Sequence, residues 1–380
     1  MKGLHLADVV RRHGPGYLAA HPDALPSHRR ALARSLACRT PALGGHVYVC
    51  TRCAAEHPLF HSCHHRACPR CGSLQTEDWL ARQRALLLDV PYFHLVFTVP
   101  SELRRLVRTH QRALTDVLFR AAFRALRTLC RDPRHLGADR IGALAILHTW
   151  TRTLEWHPHI HMLVPGGGLA PDGRTFVTPR RRRSKYLVPV QALSGLFRRA
   201  FAALARRALP GLELPGAIFR KRWVVYAKPA VQGAERLLEY LGRYVHRTAL
   251  SDRALLAQDD VSVTLRYRPS DGGPPRALRL PAHELLRRFL QHVLPRGLHR
   301  VRTFGLLHPA HRTTLRRLQL LLAPPAPAPA ADADPSCDSP PPSRLRCPRC
   351  HEYALVRLRP LPRIVTVTPA APPAPNAESP

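Results

Sequence analysis

Cys50-Thr51-Arg52-Cys53 and Cys68-Pro69-Arg70-Cys71 are two CxxC pairs fourteen residues apart. They constrain the local fold more than any other stretch. Each CxxC turn aims two thiolates at one tetrahedral ion, and the spacing is close to that of zinc ribbons. A segment this short cannot build a core of its own, and a bound ion replaces one. Cys50, Cys53, Cys68 and Cys71 are therefore expected to hold a structural zinc. Cys38, His61, Cys63 and His65 lie nearby. The plainer reading of Cys38 and Cys63 is small buried thiols; the other is a substitute ligand or part of a second site. Cys347 and Cys350 are half a site, which Cys337 or His351 could complete.

The N-terminus, MKGLHLADVVRRHG, has no continuous apolar core of a secretory signal. No stretch reaches the roughly 20 apolar residues of a membrane helix. The expectation is a cytoplasmic protein with reduced thiols, in which cysteines serve as metal ligands rather than disulfides. Lys and Arg number 59 against 25 acidic residues, for a formal net charge of +34 and a pI near 11.4. Nearly all the cations are Arg. A GC-rich genome explains Arg in place of Lys, but not the shortage of acids. A polyanionic partner does, and nucleic acid is the leading one, because phosphate neutralisation supplies most non-specific affinity. Neither a membrane nor a small-molecule substrate is expected.

At 380 residues the chain has room for two or three domains. We expect an N-terminal helical and zinc-binding domain over 1–90, a catalytic domain over 91–310, and a C-terminal region over 311–380. Leu6, Val9 and Val10 mark a helix broken at Gly14-Pro15-Gly16. Residues 92–99, 141–150, 158–164, 221–227 and 261–267 read as strands. Residues 76–89, 101–130, 191–208, 235–247 and 282–294 read as helices. Pro165 to Gly168 suggests a hairpin connection, and Arg180 to Arg183 a polar loop. Ala323 to Pro342 and residues 369–380 are rich in Pro and Ala, without periodicity, and should be disordered.

Two motifs in the middle of the chain carry chemistry. In a strand, residues two apart share a face, so His159 and His161 project together while Ile160 turns to the core. Two neutral imidazoles on one face offer two ligands to a divalent ion, which would polarise a phosphate. His94, Glu155, His246 and Asp252 are candidates for a third ligand. On the helix after residue 234, Tyr240 and Tyr244 are four apart and share a face. A phenol attacking a phosphodiester would leave a covalent phosphotyrosine and a free 3′ hydroxyl. Arg243 and Arg247 are placed to contact DNA phosphate.

The combination is specific. LHTWTRTLEWHPHIHMLVPGGGL and LLEYLGRYVHRTALS resemble the core motifs of the insertion sequence 91 family of rolling-circle transposases. ACRTPALGGHVYVC through CPRCGSLQTEDWLARQ, VPYFHLVFTVPSEL, KRWVVYAKP and RRFLQHVLPRGLHRVRTFGLL are also similar to that family, so the resemblance covers about residues 5–310. It implies an α+β chain: a zinc-ribbon-like module, then an HUH endonuclease domain of antiparallel sheet flanked by helices. By the same resemblance, His159 and His161 match the metal-binding pair, and Tyr240 and Tyr244 the nucleophiles. Cys50, Cys53, Cys68 and Cys71 match the zinc module. The implied reaction is nicking and rejoining of single-stranded DNA through a 5′-phosphotyrosine with Mg²⁺ or Mn²⁺. Met162 and Asp252 depart from the pattern, where Cys and Asn are expected. Two other functions fit the same residues: a plasmid rolling-circle replication initiator or relaxase, and a zinc-finger DNA-binding protein or inactive element copy without catalysis.

Overall fold

The computed structural model describes residues 3–71, 73–179, 187–230, 233–245, 249–269, 271–323 and 345–364. The chain begins with helices α1 (Leu6–Ala20) and α2 (Pro26–Ala37), strands β1 (Gly45–Cys50) and β2 (Glu56–Phe60), and helix α3 (Ser73–Arg84). Next come β3 (Tyr92–Thr98), α4 (Arg104–Thr109), α5 (Gln111–Arg131), β4 (Arg140–Trp150) and β5 (Trp156–Pro165). The short strands β6 (Gly168–Leu169) and β7 (Phe176–Val177) precede α6 (Val190–Ala208), α7 (Ala217–Arg220), β8 (Val225–Pro229) and α8 (Gly233–Val245). The remainder is β9 (Leu255–Gln258), β10 (Ser262–Tyr267), β11 (Arg276–Pro281), α9 (Ala282–Leu290), β12 (Val301–Gly305), α10 (Arg312–Leu322) and β13 (Leu355–Leu361). Most of the expected Pro/Ala-rich tail lies outside the described residues, as do Arg180 to Arg183, His246 and Arg247. Among the described residues, no helix is long and apolar enough to cross a membrane.

A seven-stranded sheet dominates, in the order β7-β6-β4-β5-β3-β8, with β12 also paired to β4. Every strand pairing in it is antiparallel. The strands β4 and β5 are apolar on both sides because helices cover both faces. Ala143, Ala145, Leu147, Ile160, Met162 and Val164 point into a core shared with α5 and α6. Leu144, Ile146 and Leu163 point the other way, against Leu238, Leu241 and Val245 of α8. Period-2 alternation thus assigns His159 and His161 to the α8 face, and Met162 to the core. After β5, Pro165 to Gly168 does not form the expected hairpin. It carries the chain past the end of β4, so that β6 pairs with Arg140 and Ile141 on the far edge. Gly305 closes β12 with φ 55°, and a Cβ there would collide with the Ile141 carbonyl oxygen. Only glycine suits both conditions.

Packing crosses the boundaries drawn at residues 90 and 310. Leu6, Val9, Tyr17 and Leu32 of α1 and α2 share a core with Leu255, Val263, Leu265, Leu285 and Phe289. At the other end, β13 pairs with β1. Helix α1 runs straight through Gly14-Pro15-Gly16, where a break was expected. Tertiary contact outweighs the proline here: Tyr17, one turn on, is buried against the rings of His21 and His283.

Candidate functional site

Four histidines form a line across three neighbouring strands. Register places His148 of β4 directly opposite His159 of β5, and His148 Nδ1 lies 2.9 Å from His159 Nε2. His94 of β3 follows, with Nε2 2.9 Å from His161 Nδ1. Ligand nitrogens of His148, His159 and His161 all fall within 4.8 Å of one another. Two ligands at right angles on an ion with bonds of about 2.1 Å are roughly 3.0 Å apart, so the 2.9 Å separation fits a shared ion. Hydrogen bonds fix which ring nitrogen faces the site. His159 Nδ1 donates to the His157 carbonyl at 2.7 Å, which leaves the Nε2 lone pair for a ligand. His94 Nε2 meets Nδ1 of His161, the kind of outer-shell contact common to ligating histidines.

Burial holds these rings neutral. It pushes His94 and His159 down to about 4. His148 and His161 are held well below the usual imidazole value, first by burial and then by their histidine neighbours. A neutral imidazole is the form that ligates. His148 was absent from the candidates read off the sequence. Its own strand was legible there, but the register that sets it opposite His159 was not.

The tyrosine helix α8 lies on this same sheet face. Tyr240 is 41% exposed, and its ring meets that of His94 edge-on at 6.5 Å. Tyr240, His94, Tyr226, Lys228 and Arg236 line a cleft of about 370 Å³, at the small end of ligand-sized cavities. Two cations beside a tyrosine and a histidine line suit a phosphate. Three contacts locate the helix. Gly242 lets α3 approach, since a Cβ there would sit 2.8 Å from Leu80 Cδ2. Arg84 of α3 pairs with Glu239 at 2.8 Å. Arg300, half-buried, donates to the Val245 carbonyl at 3.3 Å, a cation at the helix C-terminus. The backbone of Arg243 and Tyr244 belongs to α8; their side chains, and the whole of Arg247, lie outside the described residues.

Two of the other proposed third ligands, Asp252 and Glu155, are engaged elsewhere. The Asp252 carboxylate accepts from the Leu6 N–H at 2.9 Å and lies 3.0 Å from His5 Nδ1, so it secures the N-terminus of α1. Glu155 pairs with Arg288 at 2.7 Å. His246 is outside the described residues. Asp252→Ala should therefore destabilise the fold by about 1–2 kcal/mol, the loss of a cap and its charge-assisted bond. Urea unfolding should show a lower midpoint with DNA affinity unchanged. Weaker DNA binding at unchanged stability would instead make Asp252 a DNA contact.

The cysteines divide differently from the sequence expectation. Cys50 and Cys53 do not join Cys68 and Cys71. Cys68 and Cys71 gather with Cys38 and Cys63, and Cys50 and Cys53 with Cys347 and Cys350. The reading of Cys38 and Cys63 as isolated buried thiols is corrected accordingly: each lies among four sulfurs. In the first group Cys63 Sγ is 3.7 Å from Cys71 Sγ. Four sulfurs bonded at about 2.3 Å to a tetrahedral ion would be roughly 3.8 Å apart, so the set fits zinc. Spacing alone could not choose, because several pairings of CxxC turns satisfy one tetrahedron. Two arginines beside the cysteines are held by the chain's own backbone carbonyls. Arg66 donates to the Leu294 and Leu298 carbonyls at 3.0 and 2.8 Å, and Arg70 to the Cys38 carbonyl at 3.2 Å.

Comparison with known proteins bears on these sites. The family described as "Transposase zinc-binding domain" matches residues 9–99. The family described as "Putative transposase" matches residues 142–314. The chain is 37% identical to "Putative transposase y4qJ" of Sinorhizobium fredii, over 94% of this chain and 95% of that protein. It is 32% identical to "Transposase for insertion sequence element IS801" of Pseudomonas savastanoi pv. phaseolicola, over 73% of this chain and 69% of that protein. No solved structure matches.

Proposed function

The chain belongs to the insertion sequence 91 family of transposases, and from that premise we propose how it acts on DNA. It nicks and rejoins single-stranded DNA through a 5′-phosphotyrosine, with a divalent ion, during rolling-circle transposition in the cytoplasm. The observation that carries this reading is the histidine line lying beside Tyr240 on one face of the central sheet. The sheet with its flanking helices is read as an HUH endonuclease domain, and the single-stranded ends of the element as the substrate.

His148, His159 and His161 would hold the ion through neutral nitrogens. When bound, it supplies Lewis-acid polarisation of a phosphoryl oxygen. Mg²⁺ prefers oxygen ligands, whereas imidazole suits transition metals better; Mn²⁺ is therefore tested beside Mg²⁺. Lys228 and Arg236 bind the negative charge of the scissile phosphate in the cleft. The tyrosine oxygen attacks phosphorus; the bond from phosphorus to the 3′ oxygen breaks. The phenol loses its proton, and the departing 3′ oxygen gains one. The phosphotyrosine keeps the energy of the broken bond for rejoining. Tyr240 and Tyr244, one helical turn apart, would hold two strand ends in turn, with Arg243 and Arg247 on the flanking phosphates.

The test is a covalent-adduct assay. Zinc-loaded protein is mixed with labelled single-stranded DNA from the element's ends and Mg²⁺ or Mn²⁺, then run on a denaturing gel. A shifted band that EDTA removes is expected. Tight binding without adduct, for any divalent ion, would overturn the catalytic reading in favour of DNA binding alone.

A further inference from the structure

We propose that Cys50, Cys53, Cys347 and Cys350 form a second zinc site, built from both ends of the chain, that fastens residues 345–364 to the N-terminal module. The two halves lie about 300 positions apart, since Cys50 Sγ is 3.6 Å from Cys350 Sγ. Cys53 Sγ is 3.7 Å from Cys347 Sγ, and all four sulfurs fall within 4.8 Å of one another. These separations match sulfurs sharing one tetrahedral ion, roughly 3.8 Å, and are far longer than the ~2.05 Å of a disulfide. Cys347 and Cys50 are 0% and 1% exposed.

The two CxxC turns repeat one backbone design. The N–H of Ala54 donates to the Cys50 carbonyl at 2.8 Å, and that of His351 to the Cys347 carbonyl at 2.9 Å. The Cys50 and Cys347 N–H groups donate to Ala55 and Glu352 carbonyls at 3.0 and 2.7 Å. The residue after each turn is left-handed, with φ 56° at Ala54 and 64° at His351. Neither is glycine, so both positions are strained. The same strain at equivalent places in two distant segments points to a shared demand: both turns must aim paired thiolates at one centre. Around Cys347 Sγ, the Arg349 N–H lies at 3.4 Å, a donor that suits a thiolate, and His57 Nε2 at 3.3 Å.

The rest of the attachment is slight. Strand β13 pairs with β1 along its length, from Gly45 opposite Leu361 to Cys50 opposite Leu355, but Val356 and Leu358 stay about half exposed. Besides the two buried cysteines, the apolar cluster beneath it contains one other buried residue, Leu355. Without β13, β1 and β2 would be a two-stranded hairpin, marginal by itself in water. An ion supplies what so small a core lacks. The site is separate from the Cys38, Cys63, Cys68 and Cys71 cluster. Cys347 and Cys350 also lie beyond both family matches, which end at residues 99 and 314.

The test counts thiolate-bound zinc in the full chain, purified reduced. An organomercurial displaces zinc from sulfur but not from imidazole, so the histidine site does not enter the count. Two zinc ions released per chain are expected, one for each four-cysteine cluster. Cys347→Ser with Cys350→Ser should release one, and should expose residues 345–364 and β1 to rapid hydrogen exchange. Cys38→Ser with Cys63→Ser should also release one, yet leave β13 protected. A single zinc from the unaltered chain, or two from the Cys347/Cys350 variant, overturns the site. Should a variant fail to fold, cobalt titration of the unaltered chain decides: sulfur-to-cobalt charge transfer should saturate at two equivalents, and saturation at one overturns the proposal.

Discussion

Tyr240→Phe combined with Tyr244→Phe is expected to abolish the covalent protein–DNA adduct, lowering cleavage by at least about 10³-fold, as loss of a nucleophile does. Affinity for single-stranded DNA should change little. Tyr240 is 41% exposed, so removing its hydroxyl should cost no more than about 0.5 kcal/mol of stability. The measurement is a denaturing gel for the adduct alongside an equilibrium binding curve for the same DNA. The single variants separate the roles: the tyrosine whose loss removes the first adduct makes the first attack. If the double variant still forms the adduct, the nucleophile is another residue.

His148→Ala should weaken Mn²⁺ binding by at least about 100-fold, more than the 10–100-fold typical of outer-shell partners. His94→Ala should fall inside that range, because His94 contacts His161 without belonging to the group of three histidines whose nitrogens converge. Cleavage should drop with metal affinity in both variants and be partly restored by raising Mn²⁺. A purely structural role for His148 would lower stability without changing the Mn²⁺ dependence of cleavage. A greater loss for His94→Ala than for His148→Ala would exchange their assignments. His159→Ala, at the centre of the line, serves as the reference for losing a ligand outright.

The local geometry of each motif was legible because it repeats over a few residues. Period-2 alternation set His159 and His161 on one face and Ile160 in the core. Helical spacing brought Leu238, Leu241 and Val245 against the sheet, and left Tyr240 at the edge of the cleft. Each CxxC turn was evident as a pair of thiolates. Strand and helix patterns marked the elements; their arrangement as an antiparallel sheet with flanking helices was what the family resemblance implied.

What the sequence by itself determined is which side chains share a face or a turn; what only the tertiary structure decided is which faces and turns meet. His148 became a candidate ligand through the β4–β5 register, which depends on the packing of both sheet faces. Asp252 left the candidate ligands because α1 folds back over a segment far along the chain and uses its carboxylate. Cys50 and Cys53 pair with Cys347 and Cys350 rather than with the nearby Cys68 and Cys71. A tetrahedral centre accepts any two suitably aimed CxxC turns, and sequence distance says little about which pair the fold brings within about 4 Å.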